Sequence, residues 1–325
     1  MARANRILVT GAVGQIGSEL TLALRELHGA DNVVAAGHRT PPKPALADSG
    51  PFVRIDVTSR EQIVEAVKQH RITTVYHLAA ILSAVGEAKP ELAWRVNIEG
   101  LRNVLDVARD GNLEKVFVPS SIAVFGPDTP RDPAPQDTVL RPQTMYGVTK
   151  VAGELLAGYY ARRYGVDVRG LRYPGIISSE TPPGGGTTDY AVAIFYEAIL
   201  TGRYTCFVRE DTVLPMMYMP DCIKATIDLM GADRARLRHA TEFNVGAMSF
   251  SAGELSAEIR RHIPEFECTF MPDARQQIAD SWPQTVDDRA AREEWGWKPA
   301  FDLAAMTEDM LSRLRDRRDR GELSK

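Results

Sequence analysis

Tyr146-Gly147-Val148-Thr149-Lys150 sets a phenol and an ammonium four residues apart, so on a helix both side chains leave from one face. A tyrosine titrates near ~10, and a fixed cation within a few ångströms favours its ionised form. Tyr146 is therefore expected to act as an acid or base with Lys150 lowering its pKa. The spacing is common in helices, and its weight comes from what surrounds it.

The first of these surroundings is an apolar strand, Ile7–Thr10, that runs into Gly11, Gly14 and Gly17 and then into a helix bearing Leu20, Leu24 and Leu27. Glycine permits the tight strand-to-helix turn, and without a side chain it lets a pyrophosphate approach the helix N-terminus. Placed at the start of an alternating strand and helix series, these glycines read as a dinucleotide site.

Up to about residue 177 the chain alternates strands (7–10, 33–36, 52–55, 74–78, 115–119 and 167–172) with helices. One helix follows the capping-box spelling Ser59-Arg60-Glu61-Gln62, one runs from about Glu91 to Arg109, and one from Tyr146 to about Tyr164. This pattern predicts an α/β fold, a Rossmann-type doubly wound parallel sheet with a smaller C-terminal substrate lobe. The dinucleotide domain is expected over 1–177 with returning segments from about 213–247, and the substrate lobe mainly over 178–325. The Ser178–Asp189 stretch, with Pro182, Pro183 and three glycines, is a loop that either links the lobes or offers N–H groups to an anionic ligand. Helices are expected near 190–200, 221–230, 251–262 and 303–314.

Composition narrows the function classes. The 325 residues carry a formal net charge of −4 and 44% hydrophobic residues, as in an ordinary globular protein without a basic stripe for nucleic acid. No apolar run approaches the ~20 residues of a membrane span, and the start lacks a leader pattern, so a cytoplasmic protein is expected. Cys206, Cys222 and Cys268 are few and far apart, and the six histidines form no close pair, which argues against a disulfide framework and a metal centre.

Ser120-Ser121 follows the 115–119 strand, at the carboxyl edge where open α/β sheets bind ligands. Together the glycine turn, this serine pair, Tyr146 and Lys150 resemble the extended short-chain dehydrogenase/reductase family. The resemblance implies a catalytic triad of Ser121 as hydrogen-bond donor, Tyr146 as acid/base, and Lys150 holding the ribose and tuning the tyrosine. The resemblance implies Ser121 rather than Ser120, because Ser121 lies five residues before Gly126, as in the family's Ser-x-x-x-Tyr/Phe-Gly pattern. The strings His77–Glu87, Ser120–Pro127, Gly184–Tyr190, Leu214–Asp221 and Ile278–Pro283 look more narrowly like the short-chain type of L-threonine 3-dehydrogenase, over nearly the whole length.

That likeness implies oxidation of the 3-hydroxyl of L-threonine to 2-amino-3-oxobutyrate, which can decarboxylate to aminoacetone, with NAD as hydride acceptor. Its cofactor set would be Gly11, Gly14, Gln15, Ile16, Gly17, His38, Arg39, Asp56, Val57, Leu78, Ala79, Ala80, Asn97, Tyr146, Lys150, Tyr173, Pro174 and Ile176. Ser83, Ser121, Tyr146, Gly186, Thr187 and Trp282 would hold the substrate, and a homodimer would pack through the 91–109 and 146–164 helices.

One departure stands out. NAD sites commonly end the second strand with Asp or Glu for the ribose 2′-hydroxyl, whereas this chain reads Ala36-Gly37-His38-Arg39, and Arg39 could as readily face a 2′-phosphate. NADP therefore stays open beside NAD. So do two other functions, a nucleotide-sugar epimerase or dehydratase on this scaffold and a non-catalytic dinucleotide-binding regulator. The sparse cations of the 178–189 loop speak against the first, and the complete Ser, Tyr and Lys set against the second.

Overall fold

A computed structural model describes residues 5–184 and 186–323; Gly185, within the Gly184–Tyr190 string, lies outside them. The chain divides into two units. The first takes the residues up to Val124 with Thr144–Arg172 and Ile223–Phe243, and the second takes Phe125–Gln143, Tyr173–Cys222 and the residues from Asn244 onward.

Six parallel strands form the sheet of the first unit: β1 (Ile7–Thr10), β2 (Val33–Gly37), β3 (Phe52–Arg54), β4 (Thr74–His77), β5 (Lys115–Phe117) and β6 (Val168–Arg169), in the order β3-β2-β1-β4-β5-β6. β1 pairs with β2 on one side and β4 on the other, so the chain reverses its direction of winding at β1, and the carboxyl ends of β1 and β4 flank that crevice. The strands are apolar because both faces are covered; Leu8, Val75 and Val116 are wholly buried, each such side chain contributing about 1.5–3 kcal/mol.

Helices α1 (Gln15–His28), α2 (Arg60–His70), α3 (Gly100–Gly111) and α4 (Met145–Tyr164) cover this sheet. In α4, Thr144 accepts a hydrogen bond from the Gly147 N–H as N-cap, and Gly165 ends the helix in the left-handed region at φ 71°. Its buried stripe of Thr149, Gly153 and Ala157 is small, which brings the helix close to its neighbours; a Cβ on Gly153 would stand 3.3 Å from Leu101.

The doubly wound sheet and the separate lobe agree with the sequence expectation, with local corrections. The strand expected over 167–172 is broken at Gly170, whose N–H turns to the Ala240 carbonyl and whose missing side chain leaves room for Thr241 and Val118 oxygens. The helix expected over 91–109 is interrupted by a wide turn, Arg95–Glu99, with i to i+5 geometry. The capping box is half formed: Ser59 accepts from the Gln62 N–H, but the Gln62 side chain receives the Asp56 N–H at 2.8 Å.

The second unit holds a three-stranded sheet in which Gly175–Ile177 runs parallel, and Met248–Ser251 antiparallel, to Val213–Tyr218. A parallel pair, Arg203–Cys206 and Glu267–Phe270, belongs to the same unit. Helices Tyr190–Leu200, Ala252–His262 and Leu303–Asp319 complete it, the last held by Arg317 donating to the Ser179 carbonyl and the Tyr196 hydroxyl. No helix among the described residues is long and apolar enough to cross a membrane, and the three cysteines are free thiols.

Candidate active site

The glycine turn is built for close approach. Gly11 sits at φ +70°, and a Cβ there would fall 2.6 Å from the Ala79 nitrogen; at Gly17 it would fall 2.2 Å from the Gly11 oxygen. Gly14 caps α1 with no side chain, so Gln15, Ile16 and Gly17 open the helix with its positive end toward the crevice. These features fit a dinucleotide pyrophosphate, and Leu78, Ala79 and Ala80, just past β4, form the facing wall.

Asn97 lies in the wide turn between two helical stretches and is buried. Its side chain receives the Ile81 N–H at 2.7 Å, donates to the Ile81 carbonyl at 3.0 Å and donates to Thr149 Oγ1 at 3.0 Å. It thereby clamps the segment after β4 to α4, one turn from Tyr146. Ser83 opens the short helix Ser83–Ala88, which meets the start of α4 where the Met145 N–H donates to Glu87 at 2.5 Å.

Ser121 stands beside Tyr146, near enough to act on the phenol, and its Oγ accepts from the Ala123 N–H at 3.2 Å. Lys150 reaches past the tyrosine ring, 5.4 Å from its centroid, and donates to the Pro119 carbonyl at 2.7 Å. The tyrosine pKa differs from the expectation. Burial pushes the phenol up to about 12, and the Ser121 side chain works against that shift without cancelling it. Both side chains keep some surface open yet are packed by protein on most sides, and this desolvation is what raises the phenol. The same burial pulls Lys150 down to about 8, with Glu154 opposing it.

Glu154 is a residue that the sequence reading passed over. It sits one turn beyond Lys150 on α4, accepts from the Ser120 hydroxyl at 2.5 Å, and is gripped by Arg172 through two bonds of 2.9 Å. The repeated four-residue spacing of Tyr146, Lys150 and Glu154 was the available signal. His77 was passed over as a chemical group too: it bonds Thr10 Oγ1 through Nδ1 at 2.8 Å, and burial first, then the Lys150 charge, pull its pKa down to about 3. A cavity of the first unit is lined by His77, Ala80, Asn97, Ser120, Lys150 and Glu154.

At the other end of the crevice, His38 Nε2 stands 3.7 Å from Asp56, whose carboxylate also accepts from the Thr58 N–H and hydroxyl. Arg39 is exposed, and Val57 is buried against Gly100, where a Cβ would meet it at 2.9 Å.

The remaining expected residues lie in the second unit. Tyr173 and Pro174 are buried, and Ile176 pairs with Met217. Thr187 is buried, while the N–H groups of Gly184 and Gly186 both point at the Asp189 carboxylate, at 2.6 and 2.8 Å. The loop thus makes an anion-holding nest that Asp189 itself fills. Trp282 is 6% exposed, and its carbonyl accepts from Arg131 at 3.1 Å. Among the described residues no group of three or more His, Cys, Asp or Glu is placed to hold a metal.

Comparison with known proteins agrees with this geometry. The pattern of the NAD dependent epimerase/dehydratase family matches residues 7–246. Mitochondrial L-threonine 3-dehydrogenase of Bos taurus is 50% identical over 308 residues, 94% of this chain and 82% of that protein. The solved structure of L-threonine dehydrogenase from Clostridium difficile is 48% identical, with a TM-score of 0.94, over 97% of this chain and 99% of that one. A monomeric L-threonine 3-dehydrogenase from a metagenome is 49% identical, with a TM-score of 0.91, over 95% and 99% of the two chains. A parallel sheet with its glycine turn, Ser121 set beside Tyr146, and likeness along most of the length make this chain a member of the NAD dependent epimerase/dehydratase family.

Proposed function

We propose that the protein oxidises the 3-hydroxyl of L-threonine to 2-amino-3-oxobutyrate, with NAD supplying the hydride acceptor. The observation that carries this reading is Ser121 set beside Tyr146 with Lys150 reaching past the ring, in a chain about half identical to L-threonine 3-dehydrogenases over nearly its whole length.

Tyr146 takes the hydroxyl proton at its phenolic oxygen, and Ser121 orients the reacting oxygen by donating to it. The raised tyrosine pKa means that oxidation draws on a small phenolate fraction at neutral pH, and the charge on Lys150 steadies that phenolate as it forms. We assign the substrate's ammonium and carboxylate to Ser83, Gly186 and Thr187, and closure over its short side chain to Trp282. The first unit is the dinucleotide-binding domain in this account and the second supplies substrate contacts.

We also assign a homodimer to the exposed apolar side chains of the first unit, Trp94, Val148, Leu155 and Tyr159, and a cytoplasmic location to a chain with three free thiols. Incubation with L-threonine and NAD tests the activity: reduced-nicotinamide absorbance should rise and free 2-amino-3-oxobutyrate or aminoacetone accumulate. Epimerisation of a nucleotide diphosphate sugar without threonine turnover would favour the alternative enzyme.

A further inference from the structure

The end of β2 is where a Rossmann-type site chooses between a ribose 2′-hydroxyl and a 2′-phosphate. An acid there accepts from the hydroxyl and repels the phosphate; a nearby arginine does the reverse. In this chain the strand closes on Gly37, so that position offers no acceptor, and the space a side chain would need is already narrow: a Cβ would stand 3.0 Å from Phe52 and 3.1 Å from Val13.

Basic side chains gather around the vacant position. His38 and Arg39 follow directly and are exposed. Arg54, at the end of the adjacent β3, donates to the carbonyl oxygens of both His38 and Arg39, at 3.0 and 3.3 Å, and so fixes the loop that carries them. The nearest carboxylate, Asp56, is engaged: it accepts twice from Thr58, faces His38 at 3.7 Å and feels the charge of Arg95. Among the described residues the Arg39 guanidinium has no carboxylate partner, which leaves its planar set of donors open to an oxyanion.

We propose that His38, Arg39 and the Arg54-braced loop after β2 form a 2′-phosphate subsite, so that this protein binds NADP as well as NAD. The proposal rests on the dinucleotide site described above but not on the identity of the substrate. A phosphate carries at least one more negative charge than the hydroxyl it replaces and gains from the arginines, whereas a 2′-hydroxyl finds no acidic acceptor at the strand end.

Calorimetric titration with 5′-AMP and with 2′,5′-ADP reads this subsite without turnover. The expected result is that 2′,5′-ADP binds more tightly than 5′-AMP, with an advantage that shrinks as salt is raised, and that Arg39→Ala weakens 2′,5′-ADP by about tenfold or more and 5′-AMP far less. Arg39 is exposed, so the variant should fold; circular dichroism and an unchanged urea midpoint verify it. The proposal is overturned if 2′,5′-ADP binds no better than 5′-AMP, or if Arg39→Ala affects both ligands alike. Binding of 5′-AMP alone would overturn the phosphate subsite and leave the dinucleotide site standing, whereas binding of neither nucleotide would remove both.

Discussion

Arg172 grips the Glu154 carboxylate through two hydrogen bonds of 2.9 Å, and both side chains are almost sealed from water, 5% and 6% exposed. Glu154 also holds the Ser120 hydroxyl. Ser120 lies between Pro119, whose carbonyl receives Lys150, and Ser121, which stands beside Tyr146. A buried ion pair thus fixes the short segment from which two of the three proposed catalytic side chains take their positions.

Removing one partner leaves the other charge buried and unpaired, a loss of about 3–5 kcal/mol. Glu154→Gln should therefore lower the urea midpoint substantially. Ser120→Ala, which removes only the hydroxyl, should cost far less stability and still slow turnover. A Glu154→Gln protein as stable as the parent would show that the pair has no such role.

Lys150 gives a pH dependence with a definite sign. Its folded-state pKa lies near 8, below its ordinary value of 10.5, so between those values the unfolded chain binds a proton that the folded chain has released. Stability from this group is lowest below about pH 8 and rises toward pH 10.5. Urea melts of the wild type and Lys150→Met should show the wild type gaining relative stability across that window. A constant difference would contradict the buried ammonium.

Asp189 accepts the Gly184 and Gly186 N–H groups, and a hydrogen bond to a charged acceptor contributes about 1.5–3 kcal/mol. Asp189→Ala should loosen this loop, raising the KM for L-threonine by about tenfold or more. NADH affinity, measured by fluorescence, should be unchanged. Equal losses in both would assign the loop a general structural role.

Leu155 and Tyr159 project from α4 with 67% and 47% exposure, and Trp94 is 43% exposed on a neighbouring helix. Light scattering is expected to report a dimer, and Leu155→Arg to shift it toward monomer. A wild-type monomer, as the metagenome relative is described, would remove the dimer from this account.

The sheet was legible because buried parallel strands read as short apolar runs, and Ile7–Thr10 with its glycines announced both the turn and its helix. Ser121 and Tyr146 were singled out through the resemblance to the short-chain dehydrogenase/reductase pattern, which their place along the chain matches. Glu154 was not, because a buried carboxylate and a solvated one look alike in sequence until Arg172 is brought beside it by the fold. The tyrosine pKa was read with the wrong sign for a related reason: spacing reveals the cation, whereas desolvation depends on everything packed around the ring. The wide turn at Arg95–Glu99 carries no distinctive residue type, and Asn97 owes its clamp to that backbone irregularity.

Proton transfer at Tyr146 is the central claim, and single-turnover reduction of NAD by L-threonine in the wild type and in Tyr146→Phe tests it most directly. The variant should bind NADH normally and lose about 10²- to 10⁴-fold in rate. Threonine oxidation by Tyr146→Phe at a rate near that of the wild type would contradict the account.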